Sequence, residues 1–125
     1  MILCDTNIFI EIFRKNLFIR SELDKIGHEN IIIFDVIKAE LFFGAKDKRE
    51  LQSIKNYLNN YYSLTILPEI SEMAVDFVEN YCLSQKLSLP DALIAAATIY
   101  YNVELFTLNS KDFKFIPNLK LYNVK

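Results

Sequence analysis

A single histidine, His28, is all the chain has, and it follows a glycine that ends a helical stretch in "KIGHEN". That place reads as a surface loop, so metal-free nucleic-acid hydrolysis through paired histidines is excluded. Cysteine is nearly as scarce. Cys4 falls in a first strand and Cys82 on the apolar stripe of a helix, as small buried hydrophobes do, and no disulfide is expected. Two glycines and three prolines in 125 residues leave no linker, repeat or low-complexity tract, so one domain over residues 1–125 is expected. There is no Gly-rich phosphate loop, no serine in a nucleophile elbow and no Cys-x-x-Cys, and nucleotide kinases, α/β hydrolases and redox folds therefore lack their required parts. The chain runs into Asp5 without a basic leader, and its longest apolar runs, such as "IIIF", are too short to span a bilayer. A soluble, unexported, cytoplasmic protein with no membrane partner is the expectation.

What the chain does have is a hydrophobic fraction of 52% and an aromatic fraction of 14%, the composition of a compact globular protein. Its formal net charge of -2 speaks weakly against general nucleic-acid binding, which needs a basic surface. Carboxylates gathered on a divalent cation would lower that count while making their own site electropositive. The basic groups Arg14 with Lys15, Lys46 with Lys48 and Arg49, and Lys111 with Lys114 each read as solvated charges when taken alone.

Residues 2 to 5 read as a short buried strand, and "TNIFIEIF" as a helix with Thr6 as a candidate N-cap. "NLFIRSELDKIG" puts Phe18, Ile19, Leu23 and Ile26 on one stripe and stops at Gly27. After the strand "NIIIF", Asp35 is placed to cap "VIKAELFFGA", and the amphipathic "RELQSIKNYLNNYY" and the strand "SLTIL" follow. Ser71 would open the next helix, "EMAVDFVENYCLSQK", with apolar positions 73, 74, 77, 78, 81 and 82. The nearly all-apolar helix "LPDALIAAATIYY" and the strands "VELFT" and "LKLYNV" complete the order. Strands that alternate with helices and are apolar on both faces imply a parallel sheet covered on each side. Strand C-termini then share one edge, where ligands bind at the point at which strand order reverses. Asp5 and Thr107 both fall on that edge.

Four acids stand out. Asp5 ends a buried strand, where a carboxylate is either desolvated at a cost or placed to hold something. Glu40 has Val36, Ile37, Phe43 and Gly44 as helical neighbours, so it projects from an otherwise apolar stripe and should be paired, protonated or metal-bound. A salt bridge would satisfy it equally. Asp91 sits in "SLPD", which resembles a capping box opened by Ser88, and Asp112 follows "TLNSK" as a turn residue would. Each has a structural explanation alone. Together they come from four elements that the topology brings to one edge, where like charges repel unless a cation is shared. Hard oxygen donors without a Cys or His cluster point to magnesium or manganese, not zinc.

"LCDTNIFIE", "AELFFGA", "LPDALIAAA" and "TLNSKDF", in that order and over almost the whole chain, resemble the four motifs of PIN-domain ribonucleases, and most closely the VapC toxins of toxin-antitoxin pairs. The resemblance implies an α/β fold of three layers, α/β/α, around a small, mainly parallel sheet of about five strands. It implies a Mg²⁺- or Mn²⁺-dependent endoribonuclease whose catalytic and metal-binding acids map to Asp5, Glu40, Asp91 and Asp112. Asn7, Thr107 and Asn109 match polar positions that orient the carboxylates or ligated water by hydrogen bonds. An RNA substrate such as tRNA or ribosomal RNA, a cognate antitoxin that inserts a segment near the acids, and a homodimer are likewise implied. Asp35 departs from the family's common Ser or Thr and keeps the ability to cap. Two other readings compete. An aspartate-nucleophile phosphatase would need a second Asp where the chain has Asn7, and a catalytically inactive PIN-like module would use the same surface only to bind RNA or protein.

Overall fold

The computed structural model describes residues 1–124. Its centre is a five-stranded, wholly parallel sheet in the order β3-β2-β1-β4-β5, with helices packed around it in a three-layer α/β/α arrangement. The strands are β1 (Ile2–Cys4), β2 (Ile31–Phe34), β3 (Tyr62–Leu64), β4 (Glu104–Phe106) and β5 (Lys120–Leu121). Every residue of β1 and β2 is buried, and the edge strands β3 and β5 are partly exposed. That is why β1 and β2 are unbroken apolar runs while the edges carry Tyr62 and Lys120.

Between them, in chain order, run α1 (Thr6–Phe13), α2 (Leu17–Ile26), α3 (Asp35–Phe43), α4 (Lys48–Leu58), α5 (Pro68–Gln85) and α6 (Leu89–Tyr100). α6 is the most deeply placed, with Ala92 and the whole run Ile94 to Thr98 buried. Three successive alanines let α5 approach closely, and the one buried hydroxyl of this helix, on Thr98, is satisfied by donating to the Ile94 carbonyl at 2.7 Å. Phe9, Phe34, Phe106 and Phe113 are the largest fully buried side chains, each contributing about 1.5–3 kcal/mol by leaving water.

Several local expectations are corrected. Asp5, not Thr6, is the N-cap of α1: its extended backbone still belongs to the strand, and its Oδ1 accepts the Thr6 N–H at 2.7 Å. Asp35 is the first helical residue of α3 and does not cap it, because Phe34 occupies the cap position. α5 begins at Pro68 and not at Ser71, proline being suited to the first helical turn. On α2 the inward side is Ile19, Glu22 and Leu23, and Phe18 is exposed. Cys82 is exposed as well, since the inward side of α5 runs through Ile70, Ala74, Phe77, Val78 and Tyr81. Both cysteines are free, in line with the expected lack of a disulfide. His28 is exposed in a 3-10 turn, as a loop residue would be.

One charge inside the fold had no signal in the sequence. Glu22 is only 2% exposed, and its carboxylate accepts from Lys25 Nζ at 3.3 Å and from the Tyr122 hydroxyl at 3.1 Å. Tyr122 also packs on Phe106, so α2 is tied to the chain segment after β5. Among the described residues no helix is long and apolar enough to cross a membrane.

Gly27 closes α2 with φ at +88°, a region that side chains rarely adopt. A Cβ there would also lie 2.7 Å from Glu29 Oε1. Gly27→Ala is expected to lower stability by about 1–3 kcal/mol, read as a lower urea midpoint with an unchanged slope.

Candidate active site

Strand order reverses between β1 and β4, the first and fourth strands in sequence but neighbours in the sheet. Cys4 pairs with Phe106, and the Asp5 N–H continues the ladder by donating to the Phe106 carbonyl at 2.9 Å. The next residues, Asp5 and Thr107, therefore leave the sheet side by side at its C-terminal edge. Thr107 Oγ1 donates to Asp5 Oδ2 at 2.8 Å. Asn7, the second residue of α1, bridges the same pair: its Nδ2 reaches Thr107 Oγ1 at 3.3 Å and Asp5 Oδ2 at 3.4 Å, while its Oδ1 accepts the Leu108 N–H at 3.1 Å. Asn109 differs from expectation in using its backbone N–H, which donates to Thr107 Oγ1 at 3.1 Å. Asp5 is thus 6% exposed and held by three donors.

Glu40 is exposed, contrary to the embedded carboxylate that its neighbours suggested. Ile37 and Leu41 form the buried side of α3, and Phe43, at 93% exposure, faces outward. The apparent stripe was therefore two faces, one of them open. What fixes Glu40 is Thr6, whose hydroxyl donates to its Oε1 at 2.7 Å. Sequence reasoning missed this role for Thr6; the only signal was its place directly behind Asp5. Asp91 is in the first turn of α6, where its backbone N–H donates to Ser88 Oγ at 3.5 Å. Ser88 is the N-cap that was expected, and the Asp91 carboxylate does not make the return bond of a capping box among the described residues. Asp112 is exposed at the end of a short 3-10 turn, Ser110–Asp112.

Asp5 and Asp91 both feel the charges of Glu40 and Asp112. Burial pushes the Asp5 carboxyl above its ordinary value, the Thr107 and Thr6 hydrogen bonds pull it back, and the charges of Glu40 and Asp112 add to the rise. Burial, then the charges of Asp5, Asp112 and Glu40, push Asp91 up to about 6. They share a field without being in ligating contact: among the described residues, no three potential metal ligands stand close enough to clasp one ion. In kind and charge the set still fits a hard divalent cation, with oxygen donors only and a mutual repulsion that a cation would relieve. Asp112, as an exposed side chain, is free to turn inward.

A cavity of about 650 Å³ opens beside Glu40 between α1, α3 and α4. Ile10, Phe13, Leu41, Ile54 and Tyr57 give it apolar walls, and Arg14, Lys46 and Glu50 charge its rim.

The PIN domain family model matches residues 2–118. Over 131 aligned residues the chain is 29% identical to "Ribonuclease VapC" of Rickettsia bellii, covering 98% of this chain and 96% of that protein. A toxin-antitoxin complex from Klebsiella pneumoniae contains a chain 30% identical to it, with a TM-score of 0.81 and coverage of 99% of this chain and 100% of that one. VapBC2 from Rickettsia felis, solved bound to a DNA fragment from their promoter, contains a chain 28% identical, with a TM-score of 0.82 and full coverage of both, 100% each.

Because the folded state holds the Asp91 proton up to about pH 6 while the unfolded chain releases it near 3.8, this group favours the fold most below pH 4. Its contribution is lost as pH rises through 6. Thermal melts in EDTA should therefore show Asp91→Asn gaining on the parent protein between pH 4 and pH 7 and exceeding it at pH 7.

Proposed function

The chain belongs to the PIN domain family, and on that premise we propose that it is an endoribonuclease that hydrolyses RNA phosphodiester bonds with Mg²⁺ or Mn²⁺, acting as the toxin of a toxin-antitoxin pair. The observation that carries the reading is the arrival of Asp5, Glu40, Asp91 and Asp112, from four separate elements, at the edge where β1 and β4 part. The names of the relatives at 28 to 30% identity, a ribonuclease and two toxin-antitoxin complexes, support it.

In this reading Asp5, Glu40, Asp91 and Asp112 hold the cation. A divalent ion held there would supply Lewis-acid polarisation of the scissile phosphate and activation of the attacking water. The chain's own contribution is placement. Thr107 and Asn7 fix the rotamer of Asp5, and Thr6 fixes that of Glu40. The positive end of the α6 dipole lies beside Asp91 and favours its ionised form. Attack in line with the departing oxygen leaves a 5′-phosphate and a 3′-hydroxyl. The partners are an RNA such as tRNA or ribosomal RNA, a second copy of the chain, and a cognate antitoxin. The cavity that starts at Glu40, apolar within and charged at the rim, is suited to a segment of that antitoxin, which would block access to the acids.

Purified protein freed of any partner is to be incubated with total RNA in Mn²⁺ or Mg²⁺, beside an EDTA control. Discrete cuts are expected, lost in EDTA and reduced more than about a hundredfold in Asp5→Asn and in Asp91→Asn, with both variants folded. Thr107→Val, which removes the donor to Asp5, should cost about 10–100-fold in rate or metal affinity. Millimolar Mg²⁺ should raise the melting temperature of the parent protein and not that of Asp5→Asn. Full activity in Asp5→Asn would overturn the assignment of the site, and no cutting with any metal would move the protein to a binding role.

A further inference from the structure

α1 starts at the acidic edge of the sheet and runs for about 12 Å over its eight residues. At that far end a second cavity, about 530 Å³, lies between the end of α1, α2 and the 3-10 turn His28–Asn30. Its volume falls within the usual range for a small ligand. Ile12, Leu17 and Leu23 form apolar walls, and Lys15, Arg20 and His28 stand around them. Lys15 and Arg20 have no carboxylate within ion-pair distance among the described residues, whereas Asp24, the one acid of the lining, is taken by His28 Nε2 at 3.2 Å.

The remaining wall is Tyr57, and it is held rigidly. Its hydroxyl meets that of Tyr61 at 2.9 Å, and the Tyr61 hydroxyl meets His28 Nδ1 at 2.8 Å. Phe13 packs edge-on to Tyr57 with ring centroids 5.4 Å apart. Tyr57 lines this cavity and also the one that begins at Glu40. A strand that leaves the acids along α1 therefore passes a fixed aromatic ring and arrives between two free cations. Apolar and aromatic walls with unpaired cations are the chemistry that binds single-stranded nucleic acid.

We propose that this cavity is a subsite for a nucleotide of the unpaired RNA strand outside the scissile bond, with its base against Tyr57 and its phosphate between Lys15 and Arg20. The proposal rests on the ribonuclease reading for the identity of the strand, but the cavity's own test does not need cleavage.

Lys15→Glu/Arg20→Glu is compared with Lys86→Glu/Lys120→Glu, which makes the same change in net charge away from both cavities. Each pair is placed in the full chain carrying Asp5→Asn, and binding of a short fluorescent unpaired oligoribonucleotide is measured over a range of salt. The first pair should weaken binding about tenfold or more and flatten the salt dependence by about one phosphate, a slope near 0.7 for single strands. The control pair should change it much less. In otherwise unaltered protein the first pair should raise KM for long RNA and leave kcat unchanged. Equal losses in the two pairs, or RNA affinity retained while affinity for a protein partner falls, would overturn the subsite. Cutting that persists with an unchanged KM would overturn it too and leave the nuclease reading standing. No cutting by the parent protein would defeat the nuclease reading, with the binding comparison still deciding the cavity.

Discussion

The parallel pairing of β1 with β4 is the constraint on which the site depends. These strands are a hundred residues apart, and their register puts Cys4 opposite Phe106, so that the residues which follow emerge together. A single extra bond, Asp5 N–H to the Phe106 carbonyl, brings the carboxylate to the Thr107 hydroxyl. A slip of one residue would turn every side chain of β1 to the other face, and two fully buried apolar strands forbid it. Packing energy spent in the core thus fixes the position of a polar group at the rim.

Asp5 also joins two roles that are usually separate. It ends a buried strand and caps the helix that follows. The desolvation that raises its pKa is partly offset by the Thr107 hydroxyl and the Thr6 N–H, while Asn7 bridges Asp5 and Thr107. Among the described residues Asp91 has no hydrogen-bond donor reaching its carboxylate. Its carboxyl is lifted to about 6 by burial and by the other three acids, and it is where the strain of gathered like charges shows. A fold of net charge -2 that concentrates four acids at one edge, while leaving Arg14, Lys15, Arg20 and Lys46 around the two cavities along α1, separates its charges by place.

Much of this was legible in the residues. The strand-helix alternation, the buried α6, the stop at Gly27 and the Ser88 cap all follow from short-range patterns, because strands, helical stripes and caps are set by neighbours a few positions apart. The errors share a cause. Glu40 was read as embedded because helical spacing lists which residues are adjacent on a helix, not which side of it meets the sheet; Phe43 and Cys82 look buried by type and lie outside the contact face. Glu22 is the reverse case. A carboxylate beside Arg20 and Lys25 reads as solvated, and only Tyr122, a hundred residues on, makes its burial tolerable.

By itself the sequence determined the α/β class and the order of elements, and it singled out four acids with no Cys or His cluster beside them. Residue types and local spacing carry all of these. The tertiary structure alone decided that Thr6 steadies Glu40, that Asn109 serves through its backbone, that burial and neighbouring charges lift the Asp91 carboxyl, and that one tyrosine lines two cavities. Those outcomes depend on distances between segments that are far apart in the chain, and on how deeply packing buries each group, which no local pattern encodes.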